Sequence, residues 1–214
     1  MLADPTRLLL RAPVIPVLTI ERAAEAVPLA RALAQGGLPV IEVTLRTAAA
    51  LEAARAIAAE LPEVALGIGT VTSPADVERA VKAGAQFLVT PGTSAVLADA
   101  LAAAAVPALP GCATVSEAIA LAERGFQVLK FFPAEASGGM PWLKAVAAPL
   151  PALRFCPTGG IDMRNAGAYL ALPNVIAIGG SWVAPKEALA AGDFGRITAL
   201  AREAVKLSFT RRTA

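Results

Sequence analysis

Histidine is absent from the 214 residues. That removes the commonest general base, proton shuttle and metal ligand together. Zinc chemistry would have to rest on two cysteines, Cys112 and Cys156, supplemented by carboxylates, a poor set for catalysis. The same two cysteines are too few for a disulfide framework. Aromatic residues make up 5% of the chain and the net charge is +2, with no basic run interleaved with aromatics, so nucleic-acid binding has no support. The basic tail Phe209–Ala214 is short and reads as a frayed terminus. No uninterrupted apolar run reaches the ~18 residues of a membrane span. Arg7, Arg11, Pro13 and Pro16 break the apolar stretch that a signal peptide would need. A soluble protein of the reducing cytoplasm is expected, and its chemistry must use Lys, Glu, Arg, Thr, Ser or backbone groups.

What is present is apolar. With 56% hydrophobic and 17% charged residues, the chain fills one domain over residues 1–214. After a helical lead at about Asp4 to Leu10, strand-like and helix-like segments alternate eight times. The strand candidates are Val14–Thr19, Val40–Leu45, Ala65–Thr70, Phe87–Thr90, Ala108–Pro110, Val128–Phe132, Arg154–Pro157 and Val175–Ile178. Thr47–Leu61, Pro74–Ala83, Ser94–Ala105 and Ser116–Arg124 have helical spacing, with Ser73-Pro74 and Ser116 as N-caps and Gly84 and Gly125 as stops. The strands are near-continuous apolar runs, as in a parallel sheet covered by helices. The expected fold is a single (β/α)8 TIM barrel with a short N-terminal helix. A doubly wound open sheet is the alternative, but it usually has fewer units and a glycine fingerprint after its first strand.

Lys130 stands alone in the apolar run Val128-Leu129-Lys130-Phe131-Phe132-Pro133-Ala134. Lysine rarely enters an interior without a partner or a task. Desolvation disfavours an ammonium, and a free amine attacks carbonyls to form a Schiff base. The plainer alternative is a lysine at a strand end that snorkels into solvent or pairs with a carboxylate.

Other polar residues gather at the C-terminal ends of the expected strands, the catalytic face of a barrel. Glu42 is flanked by apolar residues and needs a role or a partner, with Lys130 or Arg46 as candidates. Beside a Schiff-base lysine it would move protons. Arg46 suits bidentate binding of a substrate carboxylate, or is a solvated residue opening the next helix. Gly159-Gly160 and Gly179-Gly180-Ser181 follow the seventh and eighth strands, the usual phosphate cradle of such a fold, although tight turns also use glycine. Cys156 reads as a small core hydrophobe and Cys112 as partly exposed, while Trp142 and Trp182 read as packing residues.

Together these segments resemble the 2-keto-3-deoxy-6-phosphogluconate (KDPG) aldolase / 4-hydroxy-2-oxoglutarate aldolase family. The matching stretches are Glu42-Val43-Thr44-Leu45-Arg46-Thr47, Gly67-Ile68-Gly69-Thr70-Val71, Lys130-Phe131-Phe132-Pro133-Ala134-Glu135, Phe155-Cys156-Pro157-Thr158-Gly159-Gly160-Ile161 and Gly179-Gly180-Ser181-Trp182. The similarity runs from about Val14 to Val205. It implies a homotrimeric, metal-free, cofactor-free class I aldolase acting on a small keto-acid phosphate. On this resemblance Lys130 is the Schiff-base lysine and Glu42 the acid/base. Arg46 and Thr70 bind the pyruvate carboxylate and Thr158 lines that pocket. Gly159, Gly160, Gly180 and Ser181 bind phosphate, while Pro91 and Phe132 wall the pocket. The Glu42-Val43-Thr44 pattern looks more like the phosphogluconate type, with 4-hydroxy-2-oxoglutarate as a side or dual substrate. An isomerase or synthase using Lys130 electrostatically, and a non-catalytic phosphometabolite-binding protein, remain as rivals.

Overall fold

The structure, a computed structural model, describes residues 2–207; the basic tail lies outside them. Its strands are β1 (Val14–Leu18), β2 (Val40–Thr44), β3 (Ala65–Gly69), β4 (Phe87–Val89), β5 (Ala108–Leu109), β6 (Gly111–Cys112), β7 (Val128–Phe131), β8 (Arg154–Pro157) and β9 (Ile178–Gly180). The helices are α1 (Thr6–Leu9), α2 (Ala26–Gln35), α3 (Ala50–Glu60), α4 (Pro74–Lys82), α5 (Ala95–Ala102), α6 (Val115–Glu123), α7 (Gly139–Ala147), α8 (Ala166–Leu170), α9 (Lys186–Ala190) and α10 (Phe194–Lys206). Every strand pairing is parallel, as the continuous apolar runs require.

The expected closed eight-stranded (β/α)8 barrel needs correction. The ladder divides into a 6-stranded sheet ordered β5-β4-β3-β2-β1-β9 and a 3-stranded sheet ordered β6-β7-β8. One break falls at Pro110, which has no N–H with which to continue a ladder. Before it, Leu109 pairs with Val89 of β4; after it, Gly111 pairs with Lys130 of β7. At the other junction, among the described residues, β8 meets the segment leading into β9 through parallel pairs of Phe155 with Val175 and Thr158 with Gly179, outside either regular ladder. The expected strand Val175–Ile178 is likewise shifted, because the regular ladder begins at Ile178 and runs to Gly180.

Helix starts follow side-chain chemistry. Ser73 Oγ accepts the Asp76 N–H at 3.2 Å, with Pro74 in the first turn of α4, and Ser94 caps α5 in the same way. The expected cap at Ser116 is two residues late. Thr114 and Glu117 instead form a reciprocal capping box, Thr114 Oγ1 accepting Glu117 N–H at 3.2 Å and Glu117 Oε2 accepting Thr114 N–H at 2.9 Å. Glu117 satisfies a second orphan donor that Ser116 has no means to reach. Such a cap contributes about 1 kcal/mol. Helices pack their Ala and Leu faces onto the sheets, burying Leu29, Leu33, Ala53, Ile57, Leu97 and Leu101 almost completely. Full burial of an aliphatic side chain of this size stabilises by about 1.5–3 kcal/mol.

Candidate active site

β7 is buried throughout, and Lys130 is only 3% exposed. Its Nζ donates to Glu42 Oε1 at 3.1 Å and Oε2 at 3.3 Å, across 88 residues of sequence. Glu42, on β2, is also 3% exposed. Of the two partners expected for Glu42, the structure selects Lys130 and leaves Arg46 aside. Among the described residues neither charged group has another hydrogen bond. A buried pair so poorly supported by other polar groups is a weak device for stability, because desolvating two ions offsets their attraction. Held in the interior, it is better suited to chemistry than to scaffolding.

Each parallel strand delivers its next residues to the same side. Arg46 follows β2, Thr70 follows β3, Pro91 follows β4, Phe132 follows β7, Thr158 follows β8 and Ser181 follows β9. Arg46 Nε donates to Thr70 Oγ1 at 3.2 Å, leaving its exposed guanidinium edge directed at solvent. Thr70 has φ 59°, the one positive φ at a non-glycine among the described residues. That conformation costs about 1–3 kcal/mol and is typical of functional sites. The Phe132 ring centroid lies 5.4 Å from Lys130 Nζ. Pro91 crosses Gly111, whose Cβ would lie 2.5 Å from the Pro91 carbonyl carbon, and Gly111 pairs with Lys130 in register. Thr158 is buried, and its N–H donates to Phe131 O at 2.9 Å, tying β8 to the strand of the lysine.

Gly159 and Gly160 take φ values of 101° and 77°, and their N–H groups donate to no backbone acceptor among the described residues. Their loop is fixed from the β7 side: Ala134 N–H donates to Thr158 O at 2.8 Å and Glu135 N–H to Gly159 O at 3.1 Å. Gly180 is buried beneath the Trp182 ring, and Ser181 beside it is exposed. Trp182 Nε1 is buried with no hydrogen-bond partner among the described residues, whereas Trp142 stacks on Phe131 at 4.3 Å between centroids. Gly69, Glu135 and Tyr169, with no role expected from sequence, also lie close to these residues. A Gly-Ile-Gly inside an apolar strand, which signals close approach by a neighbour, was the available clue for Gly69.

Both cysteines are buried, Cys112 included, which corrects its expected partial exposure. Burial, aided by Glu117, pushes the Cys112 thiol up to about 12. Burial likewise raises Cys156 to about 12, Glu42 adding to the effect and Lys130 opposing it. Neither thiol is a nucleophile near neutral pH. Among the described residues no group of three or more His, Cys, Asp or Glu could hold a metal ion. No helix among them is long and apolar enough to cross a membrane.

Nine parallel strands among the described residues, with their helices and a lysine–carboxylate ion pair buried between β2 and β7, define a parallel α/β protein with a charged pair in its interior. The chain belongs to the KDPG and KHG aldolase family, whose sequence model matches residues 6–200. It is 49% identical over 199 residues to the 2-dehydro-3-deoxy-phosphogluconate aldolase of Dickeya dadantii, covering 93% of each chain. It is 50% identical over 194 residues to the KHG/KDPG aldolase of Escherichia coli K12, covering 91% of each. Among solved structures, KDPG aldolase from Legionella pneumophila, with pyruvate captured at low pH as a covalent carbinolamine intermediate, superposes with a TM-score of 0.93. That protein is 41% identical, over 95% of this chain and 98% of its own.

Proposed function

We propose that this chain is a class I aldolase that cleaves 2-dehydro-3-deoxy-6-phosphogluconate to pyruvate and glyceraldehyde 3-phosphate, and that it also acts on 4-hydroxy-2-oxoglutarate. Lys130 is the nucleophile, Glu42 the acid/base, and no cofactor takes part. The observation that carries the residue assignment is the buried Lys130–Glu42 pair, 3.1 Å apart and without other hydrogen-bond partners among the described residues. The relatives named for both substrates, and the pyruvate carbinolamine of the Legionella protein, support the activity.

Chemistry follows from that geometry. Glu42 takes a proton from Lys130, and the free amine attacks the C2 ketone. Glu42 returns protons as the carbinolamine loses water to give an iminium. The carboxylate then removes the C4 hydroxyl proton, the C3–C4 bond breaks, and its electrons enter the iminium as glyceraldehyde 3-phosphate leaves. The resulting enamine is protonated at C3, and water hydrolyses the iminium to pyruvate and the regenerated lysine. Arg46 and Thr70 hold the pyruvate carboxylate, with Thr158, Pro91 and Phe132 lining the pocket. The N–H groups at Gly159, Gly160 and Gly180, with the Ser181 hydroxyl, receive the distal phosphate. The enzyme is a single-domain cytoplasmic homotrimer. Two buried, unpaired cysteines suit a reducing compartment, and exposed Val96, Val115 and Ile119 on α5 and α6 suit subunit contact.

Borohydride trapping tests the central assignment. Reduction in the presence of pyruvate should fix one pyruvate on Lys130, located by peptide mass spectrometry. An adduct elsewhere, or none in active enzyme, overturns it. Ser181→Asp tests the phosphate site: the added charge should raise KM for the phosphorylated substrate and spare 4-hydroxy-2-oxoglutarate. Gly180 is a poorer position to probe, because a Cβ there would lie 1.7 Å from the Trp182 ring.

A further inference from the structure

Glu135 lies in the loop after β7, against the glycines proposed to receive phosphate. Its N–H holds Gly159 O at 3.1 Å, and a Cβ on Gly160 would lie 2.6 Å from Glu135 Cγ. A carboxylate on such a short stem would repel a dianion bound by that loop. Its Oε1 is instead taken up by the hydroxyl of Tyr169, on α8, and lies 3.5 Å from the Cβ position of Gly139, the first residue of α7. The helix N-terminus there favours an anion. Tyr169 is fully buried, so the core fixes where its hydroxyl sits. Burial and the neighbouring Glu135 both push the phenol up, so it remains a donor at working pH. Among the described residues no cation pairs with Glu135.

We propose that Tyr169 is a positioning residue that holds the Glu135 carboxylate aside, keeping the Gly159–Gly160 loop open to a phosphorylated substrate. The proposal rests on the phosphate role of that loop. It makes Tyr169 and Glu135 determinants of selectivity between phosphorylated and unphosphorylated keto-acids, with no part in bond cleavage.

Steady-state kinetics of Tyr169→Phe, Glu135→Gln and the double variant test it. Tyr169→Phe should raise KM for 2-dehydro-3-deoxy-6-phosphogluconate about tenfold, weaken inhibition by inorganic phosphate in parallel, and leave KM for 4-hydroxy-2-oxoglutarate within about twofold. Adding Glu135→Gln should restore the first two. Equal effects on both substrates, or no restoration in a folded double variant, would mean the pair is only structural. Should Tyr169→Phe not fold, Glu135→Lys gives the converse reading: a lower KM for the phosphorylated substrate, with an unchanged KM overturning the proposal. Equal sensitivity of both substrates to Ser181→Asp would remove the phosphate reading and this proposal with it. A selective Ser181→Asp effect without a Tyr169→Phe effect would remove this proposal alone.

Discussion

The Glu42 carboxylate occupies the space in which a side chain on Gly69 would begin: a Cβ at Gly69 would lie 2.0 Å from Glu42 Oε1 and 2.6 Å from its Cγ. Gly69 has ordinary strand φ, so the need here is for space and not for an unusual backbone. Gly69→Ala should therefore push the carboxylate off Lys130 while the strand survives. We expect kcat to fall about a hundredfold, the lower end of what a positioned acid/base group contributes. Pyruvate trapping by borohydride should still reach Lys130, more slowly. Unchanged kcat in a folded variant would show that the position of Glu42 is not critical.

Removing one member of the buried pair should damage both activity and stability. Lys130→Met leaves Glu42 buried and unpaired, which costs about 3–5 kcal/mol. Adding Glu42→Gln removes that stranded charge, so the double variant should recover most of the lost denaturation midpoint and none of the aldolase activity. Chemical denaturation and single-turnover assays read the two quantities separately. Recovery of activity in the double variant would deny Lys130 its role.

How much of this was legible in the sequence differs by kind of interaction. Val40–Leu45 and Arg154–Pro157 announced themselves as strands because burial of Val40–Thr44 and of Phe155, Cys156 and Pro157 leaves no polar alternation to misread. Lys130 stood out for the same reason, as a charge in an apolar run. The partner of Glu42 was left open because a contact spanning 88 residues has no local signature. The division of the ladder at Pro110 was missed because the residues on either side remain extended and apolar, and only their hydrogen-bond partners change. Tyr169 gave no sign at all: its hydroxyl meets Glu135 only once α8 has packed.

Assembly provides a separate test. Val96 on α5 is 67% exposed and Ile119 on α6 is 42% exposed, an awkward placement of large apolar side chains on a monomer. Light scattering at micromolar concentration should give three times the mass of one chain, and Val96→Asp with Ile119→Asp should lower it. A monomeric parent protein would contradict the proposed trimer.

Acid should weaken the fold through Asp76, which is buried beside the start of α4. Burial alone would raise its carboxyl, but Arg79 and the Thr72 N–H and hydroxyl bind the carboxylate and hold it at about 2. The folded value thus lies below the 3.8 of an unperturbed aspartate. A group depressed in this way stabilises the fold fully above its unfolded value and loses that contribution as pH falls through its folded value. The window therefore runs from roughly pH 4 down to roughly pH 2, and about 2 kcal/mol is at stake. Melting of the parent and of Asp76→Asn should differ by a constant amount between pH 7 and pH 5, since Asp76 is ionised in both states there. The difference should shrink steadily below pH 4. A difference that persists unchanged to pH 2 would mean that the ionised form contributes nothing beyond what the amide supplies.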